Sequence, residues 1–509
     1  MLRLVPDVPP VPDEVAALRA ASARLRQVVE AKDTEIAALR VSHQAQLDLL
    51  RAQLAALAAE VADLRSRLGQ DSRNSSKPPS LDGPARPAPR SLRGKSGRKP
   101  GRPKGQPGAT LEFSGTPDEV IVHEPGRCCG CGKHLAGAPA AGMIRRQVTD
   151  VPPVRPVVTE HQMIARRCRC GVVTAAAAPA AVSAPVQYGP RLTAIGAYLW
   201  HGQFLSRNRT GQVLAELFGV TVSPGAVTAM VNRVAAALGP ALEAIRGEVA
   251  AAPVAHFDET GFRVAGKLAW VHSASAGKFA LITVHPRRGR DGMDAAGVLP
   301  AFGGVAVHDA WAPYDRYADV AGHALCCAHA LRELQAVTDA APAGQWCRAA
   351  QVGEALREMK RLADSSLAID GTLTRVDGDA LAAARHRFRS AILIGEKHTA
   401  ARAGPLMRKH HALARRLRQR QDDYLRFTTD PRVPFDNNAA EREIRMSKLR
   451  IKVSGCMRSM DGARAFCAIR SYLSTAAKHR IGMLDALTRA AGGTPWVPEM
   501  TREPIPGTT

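Results

Sequence analysis

From Glu14 to Leu68 the chain has neither proline nor glycine, and Leu47, Leu50, Leu54, Leu57, Val61, Leu64 and Leu68 recur at alternating intervals of three and four. A period of 3.5 puts these side chains on one seam of a helix, which predicts a coiled coil that associates with a second copy. Before Ile36 the register fits Val15, Leu18, Leu25 and Val29, so the repeat shifts phase once. The same stripe would suit packing on the protein's own core, but the remaining faces carry Arg, Glu, Asp and Gln, which favours self-association. Turn formers in "DSRNSSKPPSLDG" (71–83) close the element. Residues 190–250 again read as helices. Within them, 209–235 gives a helix, a turn from Gly219 to Pro224 and a second helix from Ala226, the pattern of a helix-turn-helix that enters the major groove and equally of two packed helices. From Pro253 the period falls to two. "PVAHFD", "KLAWVHSAS", "KFALITVHP" and "GVAVHD" predict short strands, and "HALCCAHALRELQAV" begins as a strand and becomes a helix.

Composition adds a partner to this picture. The chain has 509 residues, room for about three domains. Its 70 Lys and Arg against 46 Asp and Glu give a net charge of +24, which draws it toward a polyanion, double-stranded DNA first of all. Residues 84–108 hold eight Lys or Arg and no acid, a basic linker rich in proline and glycine in which Gly101, Arg102 and Pro103 resemble the core of an AT-hook. The start lacks the apolar core of a signal peptide, and no later run of about 20 uncharged apolar residues appears, which predicts a cytoplasmic protein with no membrane partner.

In a reducing compartment, cysteines serve as thiols or metal ligands rather than disulfides. Cys128 and Cys131 form a C-x2-C knuckle, and Cys168 and Cys170 supply a second pair 37 residues after Cys131. Four thiolates suit a closed, structural Zn2+ site. Because the second pair is C-x-C, His134 and Cys129 remain alternative ligands. The intervening "IRRQVTDVPPVRPVVTEHQMIARR" alternates like the strands of a zinc ribbon.

Acids in a basic chain carry the remaining chemistry. Asp258 and Asp309 are expected at the ends of the first and fourth strands, where two carboxylates side by side repel unless a hard divalent cation joins them. "DNNAAEREIR" (436–445) opens with N-cap residues, and in the helix it predicts Asn437, Asn438, Glu441 and Arg445 share one face while Glu443 points away. Glu441 is therefore the expected third ligand. The order is Asp, Asp, Glu, with separations of 51 and 132 residues.

These strings resemble the DDE transposases of the insertion sequence 66 family. The resemblance runs from the N-terminal coil and "NSSKPPS" (74–80) through "GQPG" (105–108) and the cysteine-rich module to "FDET" (257–260), "HDAWAPYDRY" (308–317), "CCAHALREL" (326–334) and "DNNAAER" (436–442). Cys327 stands where the family usually has Trp, and Glu443 is unusual beside Glu441. The resemblance implies a multidomain α+β chain: coiled coil (1–83), basic linker (84–110), zinc module (111–182), helical DNA-binding domain (183–250), ribonuclease H-like catalytic domain (251–480) with a helical insertion over about 336–430, and a C-terminal helical element (481–509). It implies Asp258, Asp309 and Glu441 as ligands of two Mg2+ (or Mn2+) ions, with His329 near the scissile phosphate and Arg442 on a phosphate oxygen. It further implies cleavage at the terminal inverted repeats of a transposable element, strand transfer into target DNA, companion proteins of the same element, and a place near the bacterial nucleoid. A basic stretch, "RKHHALARRLRQRQDDYLR" (408–426), suits a DNA-facing helix. Two other classes would share part of this chemistry: a metal-dependent nuclease of the same fold, and a non-catalytic zinc-containing DNA-binding protein.

Overall fold

A computed structural model describes residues 12–71, 74–75, 111–179, 181–341, 346–366, 378–400 and 404–499. The linker at 84–110, with its Gly101–Arg102–Pro103 string, lies outside these. The chain divides into two compact units, each assembled from separated segments: residues 1–90 with 305–438, and residues 91–304 with 439–509. Among the described residues no single helix is long and apolar enough to cross a membrane.

The first unit opens with α1 (Pro12–Leu68), the helix that the proline- and glycine-free stretch predicts. Most of its seam stays exposed, Leu50, Leu54, Leu57, Val61, Leu64 and Leu68 included. After residue 304 the unit continues with a parallel strand pair, whose second strand runs straight into a helix. The remainder is helical, from 348 to 366, 378 to 400, 405 to 419 and 421 to 425, where the inserted segment is expected. Near its C-terminal end α1 packs on the 405–419 helix, where Asp63 meets Lys409 at 3.6 Å.

In chain order the second unit comes next. Two three-residue strands, β1 (Ala165–Arg167) and β2 (Val173–Ala175), pair antiparallel in the cysteine-rich segment. The strand alternation expected across 144–167 is otherwise not realised, because Pro152, Pro153 and Pro156 have no N–H to give a ladder. No described residue between 111 and 182 is buried, so this segment has no apolar core of its own. Helices α2 (Pro190–Ala197), α3 (Arg207–Phe218), α4 (Pro224–Ala237) and α5 (Gly239–Ala250) follow. Ser206 and Ser223 cap α3 and α4 by accepting the N–H of Arg209 and Ala226, and Gly219 ends α3 in the left-handed conformation. Helix α3 lies so close to the turn before α4 that a Cβ on Gly211 would lie 2.6 Å from the Val222 carbonyl oxygen.

Strands β3 (Val254–Val264), β4 (Lys267–Ala276) and β5 (Phe279–His285) form an antiparallel meander, and α6 (Arg290–Ala296) leads out of it. Back in the first unit, β6 (Val305–His308) pairs in parallel with β7 (Gly322–Leu325). There follow α7 (Cys327–Asp339), α8 (Arg348–Ser366), α9 (Gly378–Ala400), α10 (Pro405–Gln419) and α11 (Gln421–Leu425). Helix α12 (Asn438–Ser454) begins at the junction of the two units, and α13 (Met460–Lys478) and α14 (Met483–Ala491) complete the second. The core of the second unit joins α2, α4, α13 and α14 through Ala194, Ala197, Val231, Val234, Ile469, Tyr472, Leu473 and Leu487. Against the meander, Ser471 and Thr475 of α13 accept the N–H groups of Ile282 and Ala280 at 2.7 and 3.2 Å. Side-chain hydroxyls thereby satisfy the outer edge of β5.

One expectation for the strands fails. Asp258 sits in the middle of β3, not at its end, because the tight Ala265–Gly266 turn folds β3 onto β4 and pairing continues from His256 opposite Ser275 to Val264 opposite Lys267. Asp309 does follow its strand directly, as expected.

Candidate active site

In the second unit, β3 brings Asp258 opposite Ser273 of β4. Ser273 Oγ lies 3.4 Å from the Asp258 carbonyl oxygen and 3.4 Å from the carbonyl oxygen of Ala440, the residue before Glu441. A hydroxyl has one proton, so it donates to one of these at a time. The observation places the backbone of β3 at Asp258 and the first turn of α12 on either side of one serine. Asp258 Oδ1 also accepts the Glu259 N–H at 2.9 Å, which orients the carboxylate.

Each of these two acids has an acidic neighbour, and the structure gives the neighbours different work. The Glu259 side chain is 1% exposed and its Oε1 accepts both Nε and Nη2 of Arg288, at 3.0 and 2.6 Å. The guanidinium lies 4.9 Å from the Trp270 ring centre. Glu443 turns into the second unit, where Oε1 pairs with Lys478 at 2.9 Å and Oε2 accepts the Ser474 hydroxyl at 2.7 Å. Glu259 and Glu443 are thus committed to packing. This agrees with the expectation that Glu443 faces away from Glu441: the buried residues of α12 are Ala440, Glu443, Ile444, Ser447 and Arg450. Arg442 and Arg445 are exposed.

In the first unit, Asp309 leaves β6 in a tight turn. Its Oδ1 accepts the Trp311 N–H at 3.0 Å, and Ala310 has φ +72, a left-handed conformation uncommon outside glycine. Buried His308 precedes it. Burial, then the nearby His323 and Arg420, hold the His308 imidazole well below its ordinary pKa. Its Nε2 lies 3.0 Å from Nδ1 of His323, and Asp315 completes a group whose ligand atoms all lie within 4.8 Å of one another. Sequence reasoning missed this group; the only signal is the pair of histidines at the end of one short strand and in the next. His329 stands in the first turn of α7, three residues past Cys326, whose Sγ accepts the Asn437 N–H at 3.3 Å. Cys327 is fully buried and its thiol donates to the Tyr424 carbonyl at 3.1 Å.

The cysteine-rich segment forms two turns. Cys128 N–H donates to Lys133 O at 2.8 Å and Cys168 N–H to Val172 O at 2.8 Å, with Gly132 and Gly171 left-handed inside them. The Cys128 thiol is lowered chiefly by the N–H of Cys131, and that of Cys168 chiefly by the N–H of Cys170. Each pair has thiolate-zinc donor chemistry. The four sulfurs are not gathered into one cluster of mutual distances within 4.8 Å. The backbone of His134 pairs with that of Arg127 in an isolated antiparallel bridge.

Part of the positive charge in and just after α10 is paired within the first unit, while Arg408 and Arg415 are exposed. Arg416 pairs with Glu333 at 2.7 Å and Arg418 with Glu396 at 2.6 Å, while just past the helix Arg420 pairs with Asp315 at 2.6 Å.

Compared with known proteins, residues 18–112 match a family of unknown function, DUF6444. None of the curated proteins matches the chain. Residues 185–465, more than half of the sequence and the span that carries Asp258, Asp309 and Glu441, match the family described as "Transposase IS66 family", and the chain belongs to that transposase family.

Proposed function

We propose that the protein is a DDE transposase that binds the terminal inverted repeats of an insertion sequence, cleaves one strand and joins the freed end to target DNA. Asp258, Asp309 and Glu441 are the ligand set. The observation that carries this reading is Ser273, whose hydroxyl touches the backbone of Asp258 and that of the residue before Glu441. The donor chemistry fits a hard divalent cation: carboxylate oxygens, with Asp258 and Asp309 each oriented by a backbone N–H. When bound, Mg2+ or Mn2+ supplies charge stabilisation on both sides of the phosphorus.

The chain's own groups do the rest. The carboxylates are the anionic groups that would hold the cations, and positioning of the reacting phosphodiester against them is the chain's main contribution to the rate. Arg442, exposed one residue past Glu441, binds a non-bridging phosphate oxygen. His329 approaches the scissile phosphate from the first turn of α7. Water attacks first, breaking the bond to the 3′-oxygen and leaving a 3′-hydroxyl and a 5′-phosphate. That hydroxyl then attacks a target phosphodiester and expels a target 3′-hydroxyl, so bonds broken and formed balance.

In this reading the catalytic domain is ribonuclease H-like, α3 and α4 are a DNA-binding helix-turn-helix, and the basic linker contacts phosphates. The exposed seam of α1 joins a second copy, the cysteine pairs hold structural zinc, and companion proteins of the element take part. The protein works in the bacterial cytoplasm at the nucleoid. The test is to incubate purified protein with candidate end DNA, Mg2+ and a target plasmid. Joined products that Asp258→Asn abolishes support the reading; cleavage without joining of pre-cut ends makes the protein a nuclease instead.

A further inference from the structure

We infer that His308 is the positioning residue for Asp309: its Nδ1 accepts the Ala310 N–H and so holds the turn that aims the Asp309 carboxylate. The inference deepens the proposed function and rests on Asp309 being a metal ligand.

Three features converge on this turn. Ala310 at φ +72 costs about 1–2 kcal/mol for a residue with a Cβ, so something must hold it. The Ala310 N–H lies 3.2 Å from His308 Nδ1, and the next N–H, of Trp311, lies 3.0 Å from Asp309 Oδ1. The histidine is itself fixed on every side. Its carbonyl accepts the Cys326 N–H at 2.9 Å, Tyr314 stacks on the ring at 4.4 Å, and Nε2 lies 3.0 Å from His323 Nδ1 across the parallel pair β6–β7.

The backbone donor settles the tautomer. With Nδ1 accepting from Ala310, the proton of the neutral ring sits on Nε2, which then donates to His323 Nδ1. This also decides against a metal ion among His308, His323 and Asp315, although their ligand atoms lie within 4.8 Å of one another. The lone pair that a cation needs on His308 Nε2 is occupied by the proton, and Asp315 is already paired with Arg420 at 2.6 Å. The pair of histidines is a brace, running from β7 through β6 to the turn beside the carboxylate.

The test is Mn2+ binding by the full-length chain after exhaustive chelation, read from the paramagnetic resonance of free Mn2+, with Asp309→Asn defining what the site contributes. His308→Gln removes the Nδ1 acceptor and should weaken that component about tenfold, the size typical of losing a group that orients a ligand. His308→Asn places an amide oxygen where Nδ1 stands and should restore most of it, an outcome that a purely structural role would not produce. Wild-type binding in His308→Gln, with Asp309→Asn defective, overturns the inference alone. A loss that His308→Asn does not rescue overturns it too, as does a tightly held metal that disappears in His323→Ala. Unchanged binding in Asp309→Asn overturns both the inference and the reading on which it rests.

Discussion

Replacing Glu443 by Ala should destabilise the second unit without touching the chemistry, and the structure sets the size. The Glu443 side chain is 9% exposed, and it accepts one charge-assisted hydrogen bond, from Ser474 at 2.7 Å. Such a bond is worth about 1.5–3 kcal/mol. The Lys478 partner at 2.9 Å is 30% exposed, so solvent screening reduces the ion pair to about 1 kcal/mol or less. The loss comes to about 3 kcal/mol. In a body of this size each kcal/mol moves the midpoint by roughly 2–4 °C, so differential scanning calorimetry should show a fall of roughly 6–12 °C. At 25 °C the folded variant should still join DNA ends. A variant that melts like the wild type, or one that stays folded and cannot join, would refute the assignment of Glu443 to packing.

Acid should weaken the same unit through two buried histidines. Burial lowers His201 to about 3 and His272 to about 4 from the ordinary 6.5. Both folded values are depressed, so the unfolded chain takes up protons first as the pH drops below 6.5, and stability is lost progressively toward pH 3–4. At pH 5 the penalty is about 2 kcal/mol for each, and urea midpoints at pH 7.5 and 5 should differ accordingly, by less in His201→Phe; equal midpoints would contradict this. Removing zinc, or Cys128→Ser with Cys131→Ser, should unfold residues 111–182, which bury no side chain among those described, and the readout is proteolysis confined to that segment. A metal-free segment that resists protease as the wild type does would exclude a structural zinc.

Much of this was legible in the sequence because it depends on local pattern. The proline- and glycine-free stretch became α1, the period-two runs became β3 to β6, and "DNNAAEREIR" became the start of α12 with Glu441 and Glu443 on different faces. What remained hidden depends on contacts between distant residues. Asp258 lies mid-strand because pairing with β4, unseen in "PVAHFD", carries β3 on to Val264. Glu259 finds Arg288, Glu443 finds Lys478 and His308 finds His323 across separations that leave no periodic trace. The alternation across 144–167 predicts strands by itself, and Pro152, Pro153 and Pro156 within it remove the N–H groups that a ladder needs. The division into two units built from interleaved segments has no signature in composition, because each unit draws on both halves of the chain.

The most direct measurement compares Glu441→Gln with the wild type in one reaction containing end DNA, target DNA and Mg2+, with DNA binding and thermal melting recorded on the same preparations. Glutamine keeps the shape of the side chain and removes its charge, so cleavage and joining should both disappear while binding and melting stay as in the wild type. A folded, DNA-bound Glu441→Gln that still cleaves and joins would contradict the assignment of Glu441 to the catalytic triad.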